Sequence, residues 1–304
     1  MKNLAPIALF VYNRPIHTQK VVEALQKNSD AIHSKLYIFS DAPKNEESYE
    51  KVKQVRDYIK IITGFKSITI KEQTQNLGLA KSIIGGVTEI VNNFGKIIVL
   101  EDDIETSPFF LKFMNSALNF YEKEERVWAI TGRQWPIDTS KLPEAFFLYD
   151  WPCTGWGTWA SRWKFFDKNP DKYISEISLK KDIYVFNRQG TSDVYSQLTM
   201  NKTGEIDTWA IFWASEIFLN KGLSLFPAKS LIRNIGFDGS GVHCGAATIT
   251  DCGDLNINEM EIDFSKIPIE ENKDATELVC DFYRKQKPCI LKRIIRKILG
   301  ACRA

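Results

Sequence analysis

An α/β fold on a mostly parallel central sheet is expected from three observations. Short apolar runs recur through the first hundred residues, a helix-length polar stretch separates each from the next, and every run ends in polar or charged residues. Strands that read as continuous apolar runs between helices indicate βαβ units covered on both faces. Residues 6–12 form the first run, which ends in Asn13-Arg14-Pro15 before a helical stretch to about Lys27. Residues 35–40 form the second and end at Asp41-Ala42-Pro43, with a helix expected over about 46–63. Residues 67–71 alternate as a third strand, and a helix over about 78–93 leads into a fourth at 96–100. Ligands of such sheets bind outside the carboxyl ends of the strands, so Asn13-Arg14, Ser40-Asp41 and Glu101-Asp102-Asp103 are expected to meet there.

Composition narrows the class. The chain has 304 residues, 44% hydrophobic and 26% charged, which excludes intrinsic disorder and collagen-like repeats. No apolar run approaches the ~20 residues that span a bilayer, and the opening Met1-Lys2-Asn3 stretch lacks the apolar region of a secretory signal, so a cytoplasmic location is expected. Six cysteines at 153, 244, 252, 280, 289 and 302 show no CxxC spacing, which disfavours zinc or a disulfide framework. The net charge is +2, but residues 284–304 hold eight Lys/Arg and no acid, leaving 32 basic against 38 acidic residues elsewhere. A nucleic-acid-binding fold would carry its cations as a patch on its body, so no nucleic-acid partner is expected.

After Trp128-Ala129-Ile130-Thr131-Gly132 the texture becomes aromatic and glycine-punctuated, with four of the eight tryptophans within 151–163. We divide the chain nominally into 1–125, a nucleotide-sugar-binding half, 126–265, an acceptor-side and catalytic half of the same domain, and 266–304, a C-terminal extension. In residues 288–304 apolar pairs at 290/291, 294/295 and 298/299 alternate with cations at 292/293 and 296/297. That pattern suits a helix lying on an anionic membrane surface; docking on the protein's own surface is the alternative.

The acidic triplet Glu101-Asp102-Asp103 is the most specific local signal. Adjacent carboxylates at the end of a buried strand repel one another, and a divalent cation shared with ligand phosphates would relieve the repulsion; a solvated loop is the plainer reading of the triplet alone. Asn76-Leu77-Gly78-Leu79-Ala80-Lys81 is a glycine turn entering a helix. Its amides and Lys81 would suit a pyrophosphate, although it is neither a Walker loop nor GxGxxG.

In their order and spacing, Tyr12-Asn13-Arg14, Ser40-Asp41, Asn76-Leu77-Gly78-Leu79-Ala80 and Val99-Leu100-Glu101-Asp102-Asp103 resemble the nucleotide-sugar half of GT-A fold glycosyltransferases. The resemblance is to the N-acetylglucosaminyltransferase I type and bacterial relatives in surface-polysaccharide assembly. It continues through Trp151-Pro152-Cys153-Thr154-Gly155-Trp156-Gly157, Ile206-Asp207-Thr208-Trp209 and Asn234-Ile235-Gly236-Phe237-Asp238-Gly239-Ser240-Gly241-Val242-His243, covering about residues 6–245.

The resemblance implies a Rossmann-like GT-A sheet and a metal-dependent, inverting transfer from a nucleoside-diphosphate sugar, with UDP-GlcNAc favoured, to a glycan or lipid-linked saccharide. It places Arg14 near the phosphates, Asp41 at the base, Asp102 at the ribose, Glu101 at the donor sugar and Asp103 on Mn²⁺ or Mg²⁺, with Asn76 and Lys81 also on the donor side. Asp207 would be the general base. Its neighbours Ile206, Trp209, Ile211 and Phe212 would desolvate it, whereas an N-cap before 210–219 is the structural alternative. Glu205 is the second candidate.

The glycine-rich 236–243 segment would close over the donor, with His243 a candidate ligand of metal or phosphate or else a structural hydrogen-bonder. His17 and His33 read as solvated surface. Trp151, Trp156 and Trp209 are candidates for stacking on sugar C–H faces, with core packing as the alternative. A sugar nucleotidyltransferase is the rival enzyme, but it would show a lysine-bearing glycine loop after the first strand, where Tyr12-Asn13-Arg14-Pro15 stands. A noncatalytic sugar-binding protein would have no use for Glu101-Asp102-Asp103 together with Asp207.

Overall fold

The computed structural model describes residues 3–238 and 253–286. Its first half alternates β1 (Ile7–Val11), α1 (Pro15–Gln26), β2 (Lys35–Ser40), α2 (Glu46–Ile59), β3 (Ser67–Glu72), α3 (Gly78–Phe94) and β4 (Lys96–Glu101), in the expected order. Pro15 opens α1, where its missing N–H costs nothing and its fixed φ suits the helix. Arg14 therefore becomes the cap residue, held just past the end of β1. Asn45 and Ser48 close a capping box that starts α2. The helix stops at Ile59 rather than near 63, because the β-branched Ile61-Ile62-Thr63 favours extended backbone and Gly64 then turns at φ +87°.

The chain continues through β5 (Ile104–Thr106), α4 (Phe110–Phe120), β6 (Val127–Thr131), β7 (Ala145–Leu148) and β8 (Trp156–Trp159). Short helices α5 (Ala160–Trp163), α6 (Pro170–Glu176), α7 (Lys180–Phe186) and α8 (Ser196–Thr203) precede α9 (Ala210–Leu219), β9 (Leu223–Pro227), β10 (Ile232–Asn234) and α10 (Lys273–Gln286). Among the described residues the main sheet has eight strands in the order β3-β2-β1-β4-β8-β6-β9-β7. The pairings β3-β2, β2-β1, β1-β4 and β6-β9 are parallel, and only β8 and β7 oppose the common direction. The molecule is thus mixed α/β with a mostly parallel central sheet. β5 and β10 form a separate antiparallel ribbon.

Alternation along the strands feeds two core layers. Ile7, Leu9 and Val11 of β1 join Val21, Leu25 and Met114 on one face, and Ala8 and Phe10 join Ile83, Val87 and Trp213 on the other. A third cluster packs Ala275 and Val279 of α10 against Phe146 and Leu148 of β7, so this helix, within the segment read as an extension, belongs to the folded body. The basic 288–304 stretch and His243 lie outside the described residues. No helix among the described residues is long and apolar enough to cross a membrane.

Candidate active site

The carboxyl ends of β1 and β4 meet through charge. Arg14 Nη1 donates to Asp103 Oδ2 at 3.1 Å, and Nη2 pairs with Asp102 Oδ1. Asp102 Oδ2 also accepts from the Tyr12 amide at 3.3 Å. The three side chains are largely shielded, at 17% exposure for Arg14, 5% for Asp102 and 10% for Asp103, so the pairing is far less screened than one in open solvent. Burial by itself would lower the Arg14 pKa, but the two carboxylates reverse that and raise it.

Asp41, at the end of β2, fastens the neighbouring corner. Its Oδ1 accepts from the amides of Ala42 and Leu77, both at 2.9 Å, and its Oδ2 from the Gly78 amide at 2.9 Å and Asn76 Nδ2 at 3.2 Å. Gly78 adopts φ +75°, a left-handed conformation that its lack of a side chain permits. Two of the amides that the sequence offered to a pyrophosphate, those of Leu77 and Gly78, are thus satisfied by Asp41. A buried carboxylate at a helix start satisfies amides that the helix itself leaves unpaired. Lys81 stands exposed on α3. Tyr12 joins the two corners, because its hydroxyl accepts from the Lys44 amide at 3.0 Å.

The β5–β10 ribbon sets the third wall. It starts one residue after Asp103, pairs Ile104 with Asn234, and continues into a bond from the Ile235 amide to the Asp103 carbonyl at 2.9 Å. Gly236 lies directly on the acid: a Cβ there would stand 2.4 Å from Asp103 Oδ2 and 3.0 Å from Arg14 Nη1. Its amide donates to Asn234 Oδ1 at 2.8 Å. His17, read as solvated surface, is instead 15% exposed, with Nε2 3.2 Å from both the Ile235 carbonyl and Asp238 Oδ2. The partners are more than two hundred residues away in the chain, so nothing local to His17 signals the contact.

The chemistry of this cluster suits a hard divalent cation. Three consecutive carboxyls offer oxygen ligands of the kind Mg²⁺ and Mn²⁺ take, and a single guanidinium leaves their charge in excess. Burial first, then Asp103 and Asp102, push the Glu101 carboxyl up to about 8. Burial also raises Asp102, against the opposing pull of Arg14. Among the described residues no group of three or more His, Cys, Asp or Glu side chains is disposed to hold a metal by itself.

The second half departs from expectation at its aromatic residues. Trp151, Trp156 and Trp209 are 8%, 1% and 4% exposed, so none is a shelf for sugar stacking. Trp156 stacks on Trp209 at 5.2 Å between ring centroids, and Trp151 on Phe186 at the same distance. Indole rings carry a large apolar area, and the core between α3, α9 and the sheet takes it up. Asp207 is exposed and ion-paired with Lys168, so the expected desolvation by its apolar neighbours does not occur. Nor does it cap α9, whose cap residue is Trp209 without a side-chain bond.

Asp207 lies three residues before Ala210, the start of α9. β9 runs parallel to β6, and α9 delivers the chain back to the start of β9, so α9 begins at the carboxyl edge. Trp209 there touches Trp156, which pairs with Val99 two residues before Glu101. On the same edge a cleft of about 560 Å³ opens past the ends of β6 and β9, with Gln134, Thr139, Lys229, Ser230, Asp254 and Asn258 among its lining.

No family model and no curated protein matches the sequence. Among solved structures the chain is similar to the mannosyltransferase PcManGT from Pyrobaculum calidifontis, determined in complex with GDP-Man and Mn2+, at 9% identity and a TM-score of 0.39. That match covers 72% of this chain and 73% of the other. It is also similar to S. aureus TarS, at 11% identity and a TM-score of 0.31 over 41% of this chain. The chain spans 21% of the length of TarS. At such identities and scores neither neighbour assigns an activity to this chain.

Proposed function

We propose that the chain is a metal-dependent, inverting glycosyltransferase of GT-A type that uses a nucleoside-diphosphate sugar. The observation that supports it best is the joining of Arg14, Asp102 and Asp103 at the carboxyl ends of β1 and β4. An arginine and an acid pair at one sheet edge are what a diphosphate and a divalent ion require: a planar donor for phosphate oxygens and hard ligands for the cation. UDP as the nucleotide and N-acetylglucosamine as the sugar rest on the sequence resemblance alone.

In this reading Asp103 would hold Mn²⁺ or Mg²⁺, Arg14 would bind the diphosphate, Asp102 would meet the ribose and Glu101 would face the donor sugar. Asp41 and Asn76 shape the base-binding corner that they already tie together. Lys81, exposed on the same side, lends positive charge to the approaching donor. An ion bound there would supply Lewis acidity to stabilise the negative charge developing on the leaving diphosphate. An acceptor hydroxyl attacks the anomeric carbon from the opposite face, the new C–O bond forms as the sugar–phosphate bond breaks, and the bonding pair leaves with the diphosphate. Asp207 takes the hydroxyl proton as general base.

The cleft past β6 and β9, rather than any indole shelf, is the proposed seat of the saccharide acceptor; its amide and hydroxyl lining suits a polyol. Residues 288–304 are the proposed contact with an anionic cytoplasmic membrane face, where a lipid-linked acceptor would lie. Deleting them should abolish sedimentation with anionic liposomes, and equal sedimentation of both forms would defeat that part.

A thermal-shift panel of UDP and GDP, with and without Mn²⁺, tests the central reading. A nucleotide that raises the melting temperature only with Mn²⁺, and not in Asp103→Ala, is the expected result. Stabilisation indifferent to both metal and substitution would remove it.

A further inference from the structure

The oxygens proposed to meet a metal are held by a cation of the protein itself. Arg14 spans the acid pair, with Nη1 3.1 Å from Asp103 Oδ2 and Nη2 on Asp102 Oδ1. Gly236 approaches the same atoms, so that a Cβ on it would come within 2.4 Å of Asp103 Oδ2. A guanidinium and a divalent ion in contact with one shielded carboxylate pair would repel strongly at low effective dielectric. An ion that takes those same two oxygens competes with Arg14, and a shielded guanidinium leaves only for another acceptor that satisfies its donors. A diphosphate is such an acceptor, since it offers paired oxygens with fork geometry.

We propose that Arg14 is a resident cation that couples the two ligands. Diphosphate draws the guanidinium off the acids, and the vacated carboxylates take the divalent ion. The inference rests on the glycosyltransferase reading, in which one site receives both. Its consequence is interdependence. Metal alone competes with Arg14 and binds weakly, because only the fraction of molecules with the guanidinium displaced is competent. Metal with diphosphate binds tightly, and by linkage each ligand strengthens the other by the same factor.

Mn²⁺ binding to the full chain, followed by loss of the free-ion electron paramagnetic resonance signal, tests this with UDP and GDP as the nucleotides. For the wild type we expect the Kd for Mn²⁺ to fall about tenfold or more when UDP or GDP is added, within the usual range of coupling between sites. Arg14→Met should bind Mn²⁺ alone about tenfold more tightly than the wild type and gain little from nucleotide. Arg14→Lys, a point charge unable to span both acids, provides a second variant should the first not fold; it should bind Mn²⁺ alone more tightly than the wild type does.

Variants that fold and bind Mn²⁺ alone no better than the wild type would overturn the proposal. Wild-type binding of Mn²⁺ and nucleotide that is tight but mutually independent would overturn it while leaving the glycosyltransferase reading intact. No Mn²⁺ binding by any form, even with UDP or GDP, would overturn that reading and the inference with it.

Discussion

The acids at the strand ends and the tryptophans of the second half began as equal candidates for ligand contact, and the fold treats them oppositely. Asp102, Asp103 and Arg14 sit where parallel strands stop, a position that topology opens to ligands whatever the neighbouring sequence. Arg14 bonds to both acids there. Trp151, Trp156 and Trp209 carry no such positional constraint, and the core absorbs them, with Trp156 touching Trp163, Trp209 and Trp213. A charged cluster at a strand end is informative because burying it elsewhere is costly. An aromatic cluster is ambiguous because burial is its cheapest state.

Substitutions on the two sides should therefore separate into those that harm the fold and those that harm the reaction. Trp156→Ala removes a side chain packed among three other indoles, and should lower unfolding stability by about 3–5 kcal/mol in urea titration. A wild-type midpoint combined with a raised acceptor KM would return Trp156 to the sugar-binding role. Gly236→Ala belongs to the acid side but acts sterically: the close approach to Asp103 Oδ2 should cost about 1–3 kcal/mol as the segment shifts. It should also weaken Mn²⁺-dependent nucleotide binding, and calorimetric titration would register no change if the ribbon is not part of the site.

Asp103→Asn should act the other way round. The unfolding midpoint should stay near that of the wild type, since one of three crowded acids is neutralised, while transfer falls about 10²–10³-fold, the usual loss when a group stabilising transition-state charge is removed. Asp207→Asn should perturb stability least of all. Its carboxylate is 62% exposed, and an exposed ion pair contributes at most about 1 kcal/mol. Transfer should nonetheless fall about 10²–10⁴-fold at saturating donor if Asp207 is the general base, and retention of full turnover would pass that role to another acid.

Much of the first half was legible because each strand is an apolar run with an abrupt polar end. β1, β2, β3 and β4 fall within one or two residues of their expected bounds. The meeting of Arg14 with Asp102 and Asp103 was legible for the same reason: adjacent parallel strands put their ends together. The roles of Gly236 and His17 were not, because a contact such as that from His17 to Ile235 depends on the β5–β10 ribbon, a long-range pairing with no local pattern. The region between β8 and α9 resisted reading for another reason. α5, α6, α7 and α8 have four to eight residues each, too few turns for a helical period to emerge. α10 was missed behind the louder cationic pattern that follows it.

The position of β8 has a bearing on how the molecule can be cut. Its order in space, between β4 and β6, differs from its order in the chain, where β5, β6 and β7 intervene. A fragment ending near residue 125 would bare the Ile97-Ile98-Val99 flank that Trp156, Gly157 and Thr158 normally cover, leaving an unpaired apolar edge prone to intermolecular pairing. The first half is thus no detachable cassette. Swapping it onto another second half would need β8 to travel with it.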